Sequence, residues 1–252
     1  MEEIKPLSAR EGKLIRSLSM KKFRDETGLF VAEGKKVIAP LLPFFRIKLL
    51  VSSDPWSEID AEKQRAATAP ELKKLSALTS PPDEIALFEI PSVGAEELTD
   101  SDKLVVALDA VQNPGNLGTI IRLCDWLGIR SLVLGEGSAD PFSPKVVQAT
   151  AGALGNVNLI QTADLTGFVR NHSFEQIIGT SLDGLPVGKV SAQPGDNGRT
   201  LVLFGNEGHG LSPELKALCT ELVLLPSSPT TVSESLNVSI SAAILLSRLS
   251  GL

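Results

Sequence analysis

Tyrosine is absent from this chain, and aromatic residues make up only 4% of it. A surface that recognises nucleic acid by stacking bases on aromatic rings is therefore disfavoured. Cysteine is almost absent. Cys124 and Cys219 stand 95 positions apart, with no cysteine or histidine at ligand spacing. That excludes a disulfide framework and offers no zinc or other metal signature. Both thiols read as reduced, buried small hydrophobes of a cytoplasmic protein. No apolar run approaches the ~18 residues of a membrane-spanning helix. The start, MEEIKPLSAR, is charged and lacks the apolar segment of a secretory signal. An excess of positive charge is missing too: 24 basic residues against 30 acidic give −6. Taken whole, that balance argues against a polyanionic partner.

What is present changes that last reading. The 252 residues are 42% hydrophobic, enough for one large or two modest domains at about 150 residues each. At this length folding buries roughly 70–75% of the unfolded chain's surface. The charge is unevenly spread. Residues 1–48 carry eleven Lys/Arg against six Asp/Glu, or +5, and the remainder carries 13 against 24, or −11. An acidic body follows a basic head.

In the head, the pattern predicts a helix over 8–24, with Leu14, Ile15, Leu18 and Phe23 on an apolar side and Arg10, Lys13, Arg16, Lys21 and Lys22 outside it. Strands are expected at 29–32, 46–52 and 86–90, a second helix over 33–42, and helical material in 57–77. The acidic, Pro- and Gly-containing stretch around 93–102 reads as a linker, dividing a domain at 1–92 from another at 103–252. In the second domain, apolar runs at 104–108, 131–134, 156–160, 176–179, 201–204 and 222–225 read as buried strands. Helical segments at 116–127, 144–153, 163–170 and 212–219 lie between most of them. That alternation means an α/β domain with a mostly parallel sheet. The segment 235–249 closes the chain as an apolar helix rich in small residues, either a core helix or a subunit interface.

Three loops carry chemistry. The first, DAVQNPGNLGTIIR over 109–122, runs from a strand into a helix; Pro114 and Gly115 make the turn and Asn116 is a candidate cap. Arg122 lies six residues beyond Asn116, about 240° round the helix axis. The loop matches neither dinucleotide-binding nor P-loop patterns. The second, LVLFGNEGHGLS over 201–212, has glycines at 205, 208 and 210, which let a ligand approach the backbone. Glu207 sits within it. His209 is one of only two histidines, a general-base candidate or an exposed loop residue; His172 reads as incidental. The third, PSSPTTVSESLNVSISAAI over 226–244, enters the last helix, with Ser233, Ser235 or Asn237 as caps.

Singly each loop is ambiguous. In order, N-P-G-N-L-G-T-I-I-R, F-G-N-E-G-H-G-L and S-L-N-V-S-I-S-A-A closely resemble the SpoU/TrmH family of the SPOUT superfamily, the RNA ribose 2′-O-methyltransferases. The head sequence IRSLSMKKFRDETGLFVAEGK resembles the substrate-binding domain of its ribosomal RNA members. The resemblance implies a knotted (trefoil), mostly parallel α/β domain flanked by helices, preceded by a smaller α/β RNA-binding domain. It implies a homodimer through the catalytic domain, S-adenosylmethionine as cofactor, and ribosomal RNA, 23S above transfer RNA, as substrate. Catalytic positions map onto Asn116, Arg122, Glu207, Ser235 and Asn237, and cofactor contacts onto Leu203, Gly205, Leu225 and Leu236. His209 falls outside the catalytic set. In the family the arginine is the proposed base; a guanidinium that stays protonated better suits a phosphate beside the target hydroxyl. For RNA contacts in the head, the expectation is Arg16, Lys21, Lys22 and Arg24. One departure stands out: family members usually carry a short P-M-x-G-like loop before S-L-N, and residues 226–234 here are longer and lack the glycine. That loop keeps open a non-catalytic RNA-binding protein on the same scaffold.

Overall fold

The computed structural model describes residues 4–91, 98–190 and 198–251. It divides into two compact units, one of 1–94 with 140–155, the other of 95–139 with 156–252. Of the expected linker at 93–102, residues 93–97 lie outside the described residues. Thr99–Asp102 form a tight turn in which Asp102 Oδ2 accepts from the Thr99 amide (2.7 Å) and hydroxyl (3.0 Å).

The first unit starts with β1 (Lys5–Pro6), α1 (Ala9–Ser17), α2 (Lys21–Thr27), β2 (Leu29–Glu33) and α3 (Lys35–Leu41). It continues with β3 (Ile47–Ser52), β4 (Gln64–Ala66), α4 (Ala69–Leu75) and β5 (Glu84–Glu89). The sheet order is β1-β4-β3-β5-β2, with β5 antiparallel to both its neighbours and the other pairs parallel. The helix expected over 8–24 is two helices. Leu18 closes α1 with a buried side chain, and α2 starts anew at Lys21 and stops at Gly28, which is left-handed at φ 64°. The expected helical stretch 57–77 yields a single 3-10 turn at Ala61–Lys63 and the seven residues of α4, because Gln64–Ala66 pairs with β3 as a short strand. Ile15, Leu18, Leu72 and Leu75 of α1 and α4 pack with Val31, Leu49, Val51, Ile85 and Leu87 on one face of the sheet. Phe30 and Phe88 stand on the other, stacked at 5.5 Å.

The second unit holds β6 (Leu104–Leu108), α5 (Pro114–Trp126) and β7 (Ser131–Leu134). The chain then leaves it for α6 (Pro144–Thr150), which belongs to the first unit and contacts β2, with Phe142 at 5.2 Å from Phe30. It resumes with β8 (Asn158–Gln161), α7 (Leu165–Asn171), β9 (Gln176–Pro186), β10 (Thr200–Phe204), α8 (Pro213–Leu218), β11 (Glu221–Leu224) and α9 (Val238–Ser250). All five strand pairings are parallel, in the order β11-β9-β10-β6-β7-β8. Val105, Ala107, Leu201 and Leu203 form a core with Leu165, Val169, Leu211 and Leu215 of α7, α8 and the loop before α8. By strand alternation Val106, Leu108, Val202 and Phe204 face the other side. There α5 packs on β7 and α9 on α5. Strands buried on both faces explain the unbroken apolar runs.

Connections from β6 run outward to β7, and from β10 the opposite way to β11. The β6–β10 border is thus a topological switch point, where loops at the carboxyl ends of strands open a crevice for a ligand.

Candidate active site

The loops that leave β6 and β10 start side by side, because Phe204 pairs with Leu108. After β6, Asn113 caps α5: its Oδ1 accepts from the Gly115 amide at 2.8 Å and the Asn116 amide at 3.2 Å. The sequence pointed to Asn116 as the cap. The structure gives that role to Asn113 and puts Asn116 inside the first turn, 8% exposed.

Asn116 there joins all three loops. Its Nδ2 donates to Glu207 Oε1 at 3.0 Å, and its Oδ1 accepts from Asn237 Nδ2 at 2.9 Å. Asn237 is oriented in turn by α9, its Oδ1 accepting from the Ser239 amide at 2.9 Å and hydroxyl at 2.6 Å. The relay Ser239–Asn237–Asn116–Glu207 fixes which end of each amide is nitrogen, since the reverse assignment would oppose two donors or two acceptors. Each neutral bond contributes about 1 kcal/mol net, and that to the carboxylate somewhat more.

Asn206, not singled out from the sequence, ties the first two loops together. Its Nδ2 donates to the Ala110 carbonyl at 2.9 Å, while its Oδ1 accepts from the Gly208 amide at 2.8 Å and the His209 amide at 3.3 Å. The Asn206 and Gly210 backbones exchange bonds of 3.0 and 2.9 Å. This closes the turn so tightly that a Cβ on Gly205 would lie 2.1 Å from the Gly210 carbonyl carbon. Ala110, whose carbonyl receives the Asn206 bond, is left-handed at φ 54°, a strained state for a residue with a Cβ. Asp109 Oδ2 accepts from the Ser212 amide at 2.8 Å, anchoring the far end of the second loop. The one sequence signal for Asn206 was a side-chain amide between glycines directly after a buried strand.

Other expected residues lie apart from the relay. Arg122 is exposed on α5 and makes no hydrogen bond or ion pair among the described residues. Ser235 and Leu236 are exposed ahead of α9, and His209 is exposed. Leu203 has its side chain in the core, so only its backbone faces the sheet edge, where its carbonyl accepts from Thr180 Oγ1 at 3.3 Å. Leu225 is half-buried after β11. An open cleft of about 270 Å³ lies beyond the ends of β7 and β8, lined by Glu136, Ser138, Gln161 and Thr162 among others; no side chain of the relay lines it. Among the described residues no cluster of His, Cys, Asp and Glu could hold a metal ion, and no helix is long and apolar enough to cross a membrane.

In the head, Arg16 is exposed on α1. Lys21 and Lys22 are exposed on α2, paired with Asp25 at 2.9 Å and Glu26 at 3.8 Å. Arg24 is corrected: it is only 3% exposed, its Nη1 donating to the Leu18 carbonyl at 2.7 Å and its Nε to Asp140 Oδ2 at 3.1 Å. With its guanidinium turned inward, it is a buried ion-pair partner and has no exposed edge for a phosphate.

Both parts of the chain match known protein families. Residues 103–247 match the SpoU rRNA Methylase family, and residues 11–86 match the MRM3-like substrate binding domain. The 23S rRNA (guanosine(2553)-2′-O)-methyltransferase RlmP of Bacillus subtilis is 29% identical, with all of both chains covered. A TrmH-family protein of Porphyromonas gingivalis superposes with a TM-score of 0.84 at 37% identity, covering 96% of this chain and 98% of that one. The AdoMet-bound rRNA methyltransferase of Sinorhizobium meliloti gives 0.84 at 31%, covering 97% and 95%. With three loops meeting in one relay at a switch point, and with most of its length matched by the family's model, the chain belongs to the SpoU rRNA methylase family.

Proposed function

We propose that this protein transfers a methyl group from S-adenosylmethionine to a ribose 2′-hydroxyl of ribosomal RNA, with 23S ribosomal RNA as the substrate. The observation that carries the reading is the Asn237–Asn116–Glu207 relay across the β6–β10 switch point, in a chain aligned end to end with a 23S rRNA methyltransferase.

The second loop suits the cofactor. Gly205 is buried, and neither its N–H nor its C=O is hydrogen-bonded among the described residues. A buried backbone pair without partners is what an adenine edge would satisfy. Leu203, Gly205, Leu225 and Leu236 would hold it. When bound, S-adenosylmethionine supplies an electrophilic methyl group on a sulfonium.

The rest is the work of the chain's own residues. The relay holds the three loops in register, and Asn237 and Ser235 orient the ribose. Positioning of that kind lowers a barrier by several kcal/mol when reacting atoms are held in line. Arg122 is exposed and makes no hydrogen bond or ion pair among the described residues, and its guanidinium remains protonated. It therefore clamps the phosphate beside the target hydroxyl and stabilises charge as the hydroxyl loses its proton to solvent.

The reading includes a cytoplasmic homodimer with the family's trefoil knot. Ile240 and Ile244 lie one turn apart on α9, 51% and 44% exposed, and Trp126 at the end of α5 is 82% exposed; a second copy would cover them.

Purified protein should bind S-adenosylmethionine in calorimetry and pass labelled methyl to unmodified 23S ribosomal RNA. Arg122→Ala should raise KM for RNA, and Arg122→Lys should restore part of that affinity. Absence of cofactor binding at millimolar concentration would overturn catalysis and leave an RNA-binding scaffold, the reading favoured by the long, glycine-free third loop.

A further inference from the structure

The first unit carries its cations unevenly. Arg10, Lys13 and Arg16 recur every third residue on α1, and Lys73 and Lys74 lie on α4; all five are exposed and make no ion pair within 4.0 Å among the described residues. The two helices pack against each other, with Leu75 Cδ2 3.5 Å from where a Cβ on the buried Gly12 would stand. Their two acidic side chains are turned back to the helix starts. Glu11 accepts from the Ser8 amide (2.9 Å) and hydroxyl (2.6 Å), and its other oxygen accepts from Arg65 Nε at 2.8 Å. Glu71 accepts from the Thr68 amide (2.8 Å) and hydroxyl (2.7 Å). Capping boxes therefore remove the carboxylates from the helix bodies and leave the outward face cationic.

Lys5, Lys36, Lys48 and Lys145 are also exposed and make no ion pair among the described residues, one apiece on β1, α3, β3 and α6, whereas further cations of the unit are compensated. Lys21 and Lys22 have Asp25 and Glu26 one turn on, Arg24 is buried on Asp140, and Arg46 faces Glu89 at 3.7 Å. Lys35 lies over the Trp56 ring at 5.2 Å, in a region crowded by Asp54, Glu58, Asp83 and Glu84. Burial and then the neighbouring Asp83 hold the Glu84 carboxyl above its ordinary value, as expected where acids gather. One end of the sheet is acidic, and the α1–α4 face gathers five unpaired cations on two adjoining helices, where, Lys35 aside, the other elements of the unit carry one apiece at most.

We infer that the α1–α4 face, through Arg10, Lys13, Arg16, Lys73 and Lys74, is the surface that takes RNA phosphates, and that α2 is not. The inference rests on the proposed action on ribosomal RNA and specifies where that RNA is held. Long cationic side chains on two adjacent helices track a phosphate backbone without base stacking, which fits a chain without tyrosine.

The test uses the full chain and unmodified, in-vitro-transcribed 23S ribosomal RNA fragments, with binding read by fluorescence anisotropy over a salt series. Replacing all five residues with glutamine should make the log K against log salt slope shallower by about 4, roughly 0.7–0.9 per contact, and weaken binding at least about tenfold. Affinity for S-adenosylmethionine should not change, and Lys189→Gln with Lys216→Gln should leave the slope as it was. An unchanged slope in the five-residue variant would overturn the inference. So would an equal loss of slope from Lys21→Gln with Lys22→Gln as from Lys13→Gln with Arg16→Gln. If wild-type protein binds the RNA through this face yet transfers no methyl, the catalytic reading falls and the surface stands. If it binds no RNA, both fall.

Discussion

Asn116 has both ends of its amide committed, one to Glu207 and one to Asn237, at a site 8% open to solvent. Asn116→Ala leaves the Glu207 and Asn237 groups facing a gap. It should lower stability by about 1–3 kcal/mol, or about 2–4 °C in Tm per kcal/mol at this chain length. Methyl transfer should fall about 100-fold or more, beyond what the stability loss explains. Circular dichroism beside single-turnover kinetics separates the two. Asn206 gives a sharper contrast. Asn206→Asp keeps the acceptor for Gly208 and His209 but loses the donor to the strained Ala110. It should reduce turnover at saturating RNA with little change in melting temperature, whereas equal melting loss and unchanged turnover would assign Asn206 to stability alone. Of the two cysteines expected to be buried, Cys124 is and Cys219 is only half-buried. Burial, helped by Asp125, pushes the Cys124 thiol up to about 12, and burial, partly offset by Lys216, pushes Cys219 up to about 11. The thiolate is the reactive form, so Cys124 should not label with a thiol reagent at pH 8 until the protein unfolds, and Cys219 should label slowly. Rapid native labelling of Cys124 would contradict that burial.

At the scale of elements, glycine spacing in the second loop was legible because it answers a local steric demand. Gly205→Ala would put a methyl 2.1 Å from the Gly210 carbonyl carbon and 2.2 Å from the Leu211 nitrogen, backbone atoms with nowhere to move. It should cost about 1–3 kcal/mol and raise the S-adenosylmethionine Kd at least about tenfold. Gly188→Ala, with open space around it, should change stability by less than about 0.5 kcal/mol. The parallel sheet and most of its helices were equally legible, since strands buried on both faces write continuous apolar runs. Three features were not. The break between α1 and α2 hides in a helical apolar pattern that Leu18 continues while closing the first helix. The three-residue β4 is too short and polar to signal itself, its Gln64 buried by bonds to the Trp56 backbone amide (2.9 Å) and carbonyl (2.8 Å). The passage of 140–155 into the first unit is invisible because an amphipathic helix reads the same whichever sheet it covers. The final helix starts at Val238 rather than 235, since Asn237 is its cap.

For the whole molecule, a net charge of −6 concealed a head of +5 on a body of −11. Within the head, ion pairs and capping boxes redistribute that charge again, so a count of lysines and arginines did not locate the surface cations; Arg24 shows this most plainly. The motifs located the three loops because the chemistry needs those residue types together. They did not reveal that Asn116 would be their hub, since its partners lie 91 and 121 positions away. Assembly is a separate matter of exposed apolar area. Light scattering should give twice the 26.7 kDa chain mass for wild type and a single-chain mass for Ile240→Glu with Ile244→Glu; a wild-type monomer at micromolar concentration would remove the proposed homodimer. The most direct test of ribose methylation is the identity of the product. Unmodified 23S ribosomal RNA incubated with the protein and labelled S-adenosylmethionine is digested with alkali, which cannot cleave beside a 2′-O-methylated ribose. The label should appear in one alkali-resistant dinucleotide and vanish with Asn116→Ala; label released as a base-methylated mononucleotide, or none incorporated at all, would contradict it.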